Sequence, residues 1–498
     1  MNGQFSFAIW DVRKKELFLA RDRLGIRPLF YSQSDAGFVF ASEIKCLFES
    51  GLVTPELDVE SLHRVFTFWT VPTPGTVFKG IRELSPGHFM KIGPSGTTVR
   101  PYWQLAWPII SNGEHRVSEK SLLEEMEALL MDSIRLRLRA DVQVAAYLSG
   151  GLDSSATTWF IQKTEPGVLN TFSIGFEDKE FDETSYQNEM SAWLGTNHKA
   201  VTSRREDVAA NFGEVIWHTE VPLLRTGAVP MFQLSGLVRR EGIKVVITGE
   251  GADEFLGGYN IFKEALIREF WSRQPNSTIR PLLLQKLYPY LAQFQGRSAK
   301  MLKFFYGHGL TDVDNPGYSH MIRWNNSKHV KEHLAPDLRQ ALTEDPVDQF
   351  LKTLPSGFSD WDLLSRAQWL ESTLFLSGYL LSSQGDRVSM AHSVEGRYPF
   401  LDYRLVEFST RIPADMRIRG LNEKYLLKKL MSERLPERIL KRSKQAYRAP
   451  VSSSLLSDKA PAFLREQLSG DALRKYGLFN PATVEKLLAK MAGPAQVT

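Results

Sequence analysis

Two glycine-rich, acidic loops carry the residue types in this chain best suited to chemistry. In residues 142–160, VQVAAYLSGGLDSSATTWF, an apolar run ends at Leu148, gives way to Ser149, Gly150, Gly151, Leu152, Asp153, Ser154 and Ser155, and resumes at once. Glycines at 150 and 151 let backbone N–H groups turn inward as an anion nest. The serines add hydroxyl donors at a helix start, so the loop suits phosphate oxygens. Asp153 fits inside such a cradle if Mg²⁺ bridges it to the phosphates. The spacing matches neither GxxxxGK[ST] nor GxGxxG. A Gly/Ser turn capped by Ser154 accounts for the same residues without any chemistry. The second loop, TGEGADE at 248–254, follows another apolar run. It supplies Asp253, so that Asp153 and Asp253 can converge at one sheet edge to hold Mg²⁺ on a leaving pyrophosphate.

The elements that must position these loops are three short apolar runs, VQVAAYL, TFSIGF at 171–176 and KVVIT at 244–248, alternating with helical patterns. Near-continuous apolar strands separated by helices predict a parallel sheet covered on both faces, with ligands beyond the carboxyl ends where strand order reverses. Ahead of them, SLLEEMEALLMDSIRLRLR repeats Leu122, Met126, Leu129, Leu130 and Ile134 at helical spacing. The first hundred residues differ. Short runs such as FSFAIW, LFLA, LFYS and FVFAS, separated by Asp11, Gly25, Pro28 and residues 35–37, predict an antiparallel β-rich unit. Residues 94–118 read as a linker or strap, and the chain beyond about 260 as mostly helical, with no role legible for 270–361.

The 498 residues suggest two or three domains at roughly 150 residues each. With 43% hydrophobic and 24% charged residues, the chain has no segment suited to a bilayer. A net charge of +4, from 61 basic and 57 acidic residues, is too weak a bias to indicate nucleic acid as a partner. The single cysteine, Cys46, excludes an internal disulfide and any CxxC metal site. The N-terminus carries no basic-then-apolar signal, so the expected compartment is the cytoplasm.

SGGLDSS is the signature of the ATP-pyrophosphatase (PP-loop) family. Followed by TGEGADEFLGGY, SMAHSVEGRYPFLD and LKRSKQAYRAP, it resembles the synthetase domain of glutamine-dependent asparagine synthetases. The resemblance implies an α/β fold with a PP-loop domain over 119–498 and a two-step ligase. An aspartate carboxylate attacks the α-phosphate of ATP, pyrophosphate leaves with Mg²⁺, and ammonia displaces AMP. It further implies Glu250 for proton transfer and Lys444 for stabilising the adenylate and the tetrahedral species. Leu148, Ile174, Thr248 and Gly249 would contact the nucleoside through main chain. Arg225, in Arg225-Thr226-Gly227, would help hold the amino acid, and Glu395, Glu423 and Lys424 also match family positions. A lactam- or other amide-forming synthetase with a different acceptor, or a silent family member, stays open. A tyrosine in place of Glu250 would favour the lactam branch, and loss of Asp153, Asp253 or Lys444 the silent one.

NGQFSFAIWD, ARDRLGIRPLFY and FASEIKCLFESG read singly as strands and turns. As a series they resemble the later half of a class II glutamine amidotransferase domain, Ntn-hydrolase-like, over 1–105. The resemblance implies a nucleophilic cysteine with a free α-amino group in the earlier half, which is missing. Here position 2 is Asn, and Cys46 matches no nucleophile position and reads as a packed or inert thiol. Full-length relatives take ammonia from glutamine. The half-domain is expected to expose strand edges and Phe5, Phe7 and Trp10, inviting a homodimer or complementing chain. This chain alone is expected to use ammonia directly, and a glutaminase assay checks that: no glutamate should be released from glutamine.

Overall fold

The computed structural model describes residues 1–108, 117–289, 299–445 and 447–491. Parts of the 94–118 strap and of the 270–361 stretch therefore lie outside the described residues. The first hundred residues form two antiparallel sheets. β1 (Ser6–Asp11) and β2 (Glu16–Arg21) join β6 (His88–Gly93) and β7 (Gly96–Pro101) in the order β1-β2-β6-β7. β3 (Phe30–Ser34), β4 (Gly37–Ala41) and β5 (Ile81–Glu83) form the second, in the order β4-β3-β5. Leu19, Leu29, Tyr31, Leu84 and Met90 form one core cluster across both sheets. Phe7, Phe18 and Phe89 form a ladder of rings 6.1 and 5.6 Å apart. On β1, an edge strand, Ile9 and Trp10 are each 56% exposed.

Three details correct the sequence reading of this unit. SEIKCLFES is a helix, α1 (Ile44–Glu49), because Ile44 and Leu47 share one buried face at helical spacing. The free N–H groups of Ile44 and Lys45 each donate to the Glu220 carboxylate at 2.8 Å, a cap from 175 residues away. Cys46 is consequently exposed rather than packed. A second helix, α2 (Val59–Phe68), starts at Asp58, which accepts from Glu60 N. The supposed strap contains β7, held by pairing with β6 although all six of its residues are exposed.

The predicted parallel sheet is present with five strands rather than three. β8 (Val144–Tyr147), β9 (Asn170–Phe176), β10 (Asn197–Ser203), β11 (Val245–Ile247) and β12 (Glu395–Arg397) lie in the order β10-β9-β8-β11-β12, all parallel. The chain builds outward from β8 through β9 to β10, then returns to the other side of β8 for β11. Strand order thus reverses between β8 and β11, the two strands that end in the acidic loops. On one face α3 (Glu119–Leu138) buries Leu122, Met126, Leu130 and Ile134 against α4 (Leu152–Thr164). On the other, α5 (Ala228–Arg240) packs Leu234 and Val238 on Phe172, Ile174 and Val246. No helix among the described residues is long and apolar enough to cross a membrane.

The antiparallel unit is joined to the sheet by polar contacts. Arg27 pairs with Asp386, Gln4 Nε2 donates to Gly396 O at 3.0 Å, and Trp103 Nε1 donates to Glu407 at 2.8 Å. A helix from Leu363 to Leu370 continues as a π-helix over Glu371–Leu380 and again over Ser382–Asp386. Its wider turns carry Tyr379, Leu380 and Gln384 past the carboxyl ends of the strands. Pi turns of this kind recur where a helix serves a site.

Candidate active site

The first loop is tied to its surroundings by geometry only glycine permits. Gly150 is left-handed at φ 69°, and a Cβ there would stand 2.5 Å from the carbonyl carbon of Tyr186. Ser149 N donates to Ser154 Oγ at 3.2 Å, and Ser154 Oγ donates to Gly151 O at 3.2 Å. Ser154 therefore does brace the turn, as the plain reading holds. Gly151, the N-cap of α4, offers no side chain, so the first N–H groups of this 13-residue helix are left for an anion. The second loop packs on the first: a Cβ on Gly249 would come within 3.0 Å of Asp153 Cβ and Ser154 N. Gly251, at φ 95°, lies against Leu401, where a Cβ would sit 2.2 Å from Cδ2.

These contacts bring Asp153 and Asp253 together, and two lysines from the last quarter of the chain meet them. Lys424 Nζ pairs with Asp153 Oδ2 and lies 2.6 Å from Asp253 Oδ1. Lys444 Nζ lies 2.5 Å from Asp253 Oδ2. Burial alone would raise the Asp253 carboxyl, but the two ammonium groups outweigh it and hold Asp253 below the usual carboxylate range. Asp153 is pushed up by burial, opposed by Lys424 and reinforced by the charge of Asp253. Burial works against the Lys444 ammonium, yet Asp253 and Asp153 more than compensate and keep it protonated. Burial lifts Glu250 to about 7, with Lys444 pulling the other way. Its neighbour Glu254 accepts from Tyr259 Oη at 2.8 Å and is raised by burial to about 8.

The donor set suits a divalent cation that arrives on phosphate. Asp153 Oδ1 is buried and without a hydrogen-bond partner. Among the described residues no cluster of three His, Cys, Asp or Glu side chains surrounds it. Two carboxylates without a full protein cage is the usual arrangement for Mg²⁺ shared with a nucleotide. A small cavity lies beside Glu250, lined by Tyr147, Thr248, Gln384, Gly396 and Tyr398 among others. The carbonyl of Gly396 is the one held by Gln4 of the antiparallel unit.

Of the residues singled out in the sequence, Asp153, Asp253, Lys424 and Lys444 meet directly, with Glu250 in the same electrostatic cluster. Thr248 N is held by Arg397 O at 3.0 Å and Leu148 N by Phe172 O at 2.9 Å. Ile174 lies in β9 with its carbonyl accepting from Gln187 Nε2 at 2.6 Å. Glu395 is not brought to the cluster. It opens β12 opposite Val245 and pairs with Arg397 at 2.8 Å and Arg27 at 3.7 Å. Arg225 stacks on Trp69 at 4.0 Å and forms no hydrogen bond or ion pair with any described residue. Gly227, two residues on, does face the site region, lying near Gln384 and Tyr447. Arg442 lies in LKRSKQAYRAP but was not among the residues singled out in the sequence. It donates to Gly150 O at 3.1 Å, pairs with Glu183 and covers the Tyr186 ring at 4.1 Å. The signal was its position two residues before Lys444, since alternate residues of an extended segment share a face.

The parallel sheet, with a phosphate-type loop and paired carboxylates at its switch point, has the α/β architecture expected of the PP-loop class. The chain belongs to the asparagine synthase family: the family model for asparagine synthase matches residues 125–497. A model for the glutamine amidotransferase domain matches residues 1–103. The chain is 30% identical over 484 residues to amidase chyE of Penicillium rubens, covering 90% of this chain and 70% of that protein. It is 29% identical over 454 residues to asparagine synthetase [glutamine-hydrolyzing] 1 of Bacillus subtilis, covering 91% and 68%. A putative asparagine synthetase of Mycobacterium bovis is 30% identical over 460 residues, covering 91% and 67%.

Arg442 gives this geometry a direct check. Its charge-assisted bonds are worth about 1.5–3 kcal/mol each. Arg442→Met should therefore raise the KM for ATP by about tenfold or more, as steady-state kinetics would report, and also lower the thermal midpoint, because Glu183 is left without its partner. An unchanged KM would mean that the clamp on Gly150 does not shape the loop.

Proposed function

We propose that this protein is an ATP-dependent amide-forming ligase that adenylates the side-chain carboxylate of aspartate and passes it to ammonia, giving asparagine, AMP and pyrophosphate. The observation that carries the reading is the convergence of Asp153, Asp253, Lys424, Lys444 and Glu250 beyond the strands where sheet order reverses. In this reading the α4 N-terminus and the Gly150–Gly151 turn receive the phosphates of ATP. Asp153 and Asp253 would hold Mg²⁺, which when bound neutralises charge on the departing pyrophosphate. Lys444 stays protonated and supplies a fixed positive charge for the adenylate and for the oxyanion formed when ammonia adds. Glu250, near 7, is ionised in the upper physiological range and takes the proton that the added nitrogen must lose.

A second acceptor class has specific support. Amidase chyE is as similar to this chain as the asparagine synthetases are. The Arg225 guanidinium, which pairs with no carboxylate among the described residues, would suit the anionic end of aspartate or of another carboxylic acid. Product analysis with aspartate beside a panel of other carboxylic acids separates the two, and asparagine formed much faster than any other amide supports the first.

Lys444→Ala should lower kcat by on the order of 10²–10³ while ATP binding is largely kept, because a charge aimed at a developing oxyanion acts mainly in the transition state. Lys444→Arg should restore little, since a planar guanidinium cannot take the same point-charge position. A loss confined to ATP affinity would make Lys444 a binding residue. The pH profile tests Glu250 separately. Its ionised form is the active one, so kcat should rise with pH through about 7. Glu250→Gln should be slow at all pH values and lack that limb at saturating ammonia.

A further inference from the structure

Lys424 sits in a backbone conformation that lysine seldom takes. It is left-handed, at φ 51° and ψ 39°, a region that disfavours any residue with a Cβ. The side chain is only 3% exposed and runs inward until Nζ stands between the two carboxylates. The passage is narrow. A Cβ on Gly258 would lie 2.2 Å from Lys424 Cε and 2.0 Å from Asp253 Oδ1, so only glycine at 258 lets the stem and the carboxylate meet. The turn behind it is anchored: Glu423 is held by Lys263 at 3.2 Å and by Lys428 at 3.1 Å. Backbone strain, a cleared passage and an anchored turn all serve one outcome, an ammonium group in the space between Asp153 and Asp253.

We propose that Lys424 is a tethered counter-cation that keeps the Asp153–Asp253 pair closed to free divalent ions, so that metal enters only together with a polyphosphate. The proposal rests on the reading of the two aspartates as metal ligands given above. A free divalent ion would have to displace an ammonium that cannot diffuse away. The displaced group would stay buried without a partner, and breaking a buried pair in that way is unfavourable. A polyphosphate changes the balance, because its oxygens can accept the ammonium as it leaves the carboxylates. Lys444 cannot take over the role, since among the described carboxylates it pairs with Asp253 Oδ2 and not with Asp153. Asp153 Oδ1, buried and unpartnered, is the oxygen left open to the incoming ion.

The test is Mn²⁺ titration of the full chain followed by electron paramagnetic resonance, without nucleotide and with α,β-methylene-ATP, which cannot lose pyrophosphate. Wild type is compared with Lys424→Met and with Lys424→Gly, the latter suited to the left-handed backbone should the former misfold. Each is made with and without Asp153→Asn. The expected result is weak Mn²⁺ binding by the nucleotide-free wild type and binding tighter by roughly tenfold or more in the lysine variants, as befits one partly screened charge pair. Asp153→Asn should abolish the gain. Equal, Asp153-dependent binding by wild type and variants without nucleotide would overturn the counter-cation role and leave the metal site standing. So would variants that bind no Mn²⁺ without nucleotide while the wild type binds it with the analogue through Asp153. Mn²⁺ binding with the analogue that ignores Asp153→Asn would instead remove the metal reading on which the proposal rests.

Discussion

The site depends on keeping two like charges close together inside the protein. Asp153 and Asp253 come from different strand ends one hundred residues apart, and glycines at 249, 251 and 258 let their loops close on each other. A buried carboxylate without a counter-charge would take up a proton or push the loops apart. The chain answers with Lys424 and Lys444, both delivered by its last quarter. Much of the C-terminal architecture follows from that need. The helix Tyr425–Leu430 buries Leu426, Leu427 and Leu430 in the same core as α3 and α4, which fixes the turn that carries Lys424. Arg442 ties the segment carrying Lys444 to the loop at Gly150.

The same arrangement explains why the charges around the site are unequal. Asp253 touches both lysines and stays ionised, whereas Asp153 touches one and is lifted by burial. Glu250 and Glu254 follow in the same loop and short helix, are more weakly compensated, and rise to about 7 and about 8. One short stretch of chain thus contains a carboxylate held below its ordinary range and two acids raised above theirs. Chemistry that first expels a polyanion and then moves a proton from nitrogen needs both kinds.

What could be read in the sequence was whatever had a local cause. The apolar runs of β8, β9 and β11 end in their loops because both faces of the strands are covered, and the four-residue spacing of Leu122, Met126, Leu130 and Ile134 marks the buried side of α3. Strands whose cause is distant were missed. β12 is three residues, Glu395-Gly396-Arg397, that pair only because β11 presents an edge, and β10 is an edge strand most of whose residues are exposed. The aromatic, β-prone look of the segment around Cys46 hid α1, whose N-terminus is satisfied by Glu220. Within the site, the two aspartates and Lys444 were legible from their motifs. The placement of Lys424 was not, because it depends on a left-handed turn and on a space left by Gly258. Glu395 shows the converse: a residue in a telling motif whose side chain is taken up by neighbouring arginines.

The central proposal is that the acceptor carboxylate takes the adenylyl group of ATP, with loss of pyrophosphate, before nitrogen arrives. Isotope transfer tests it most directly. With aspartate carrying ¹⁸O in its side-chain carboxylate, together with ATP, Mg²⁺ and ammonium, mass spectrometry of the nucleotide product should find one ¹⁸O atom in the phosphate of AMP. ¹⁸O in inorganic phosphate with ADP as the nucleotide, or AMP free of label while asparagine accumulates, would contradict the account.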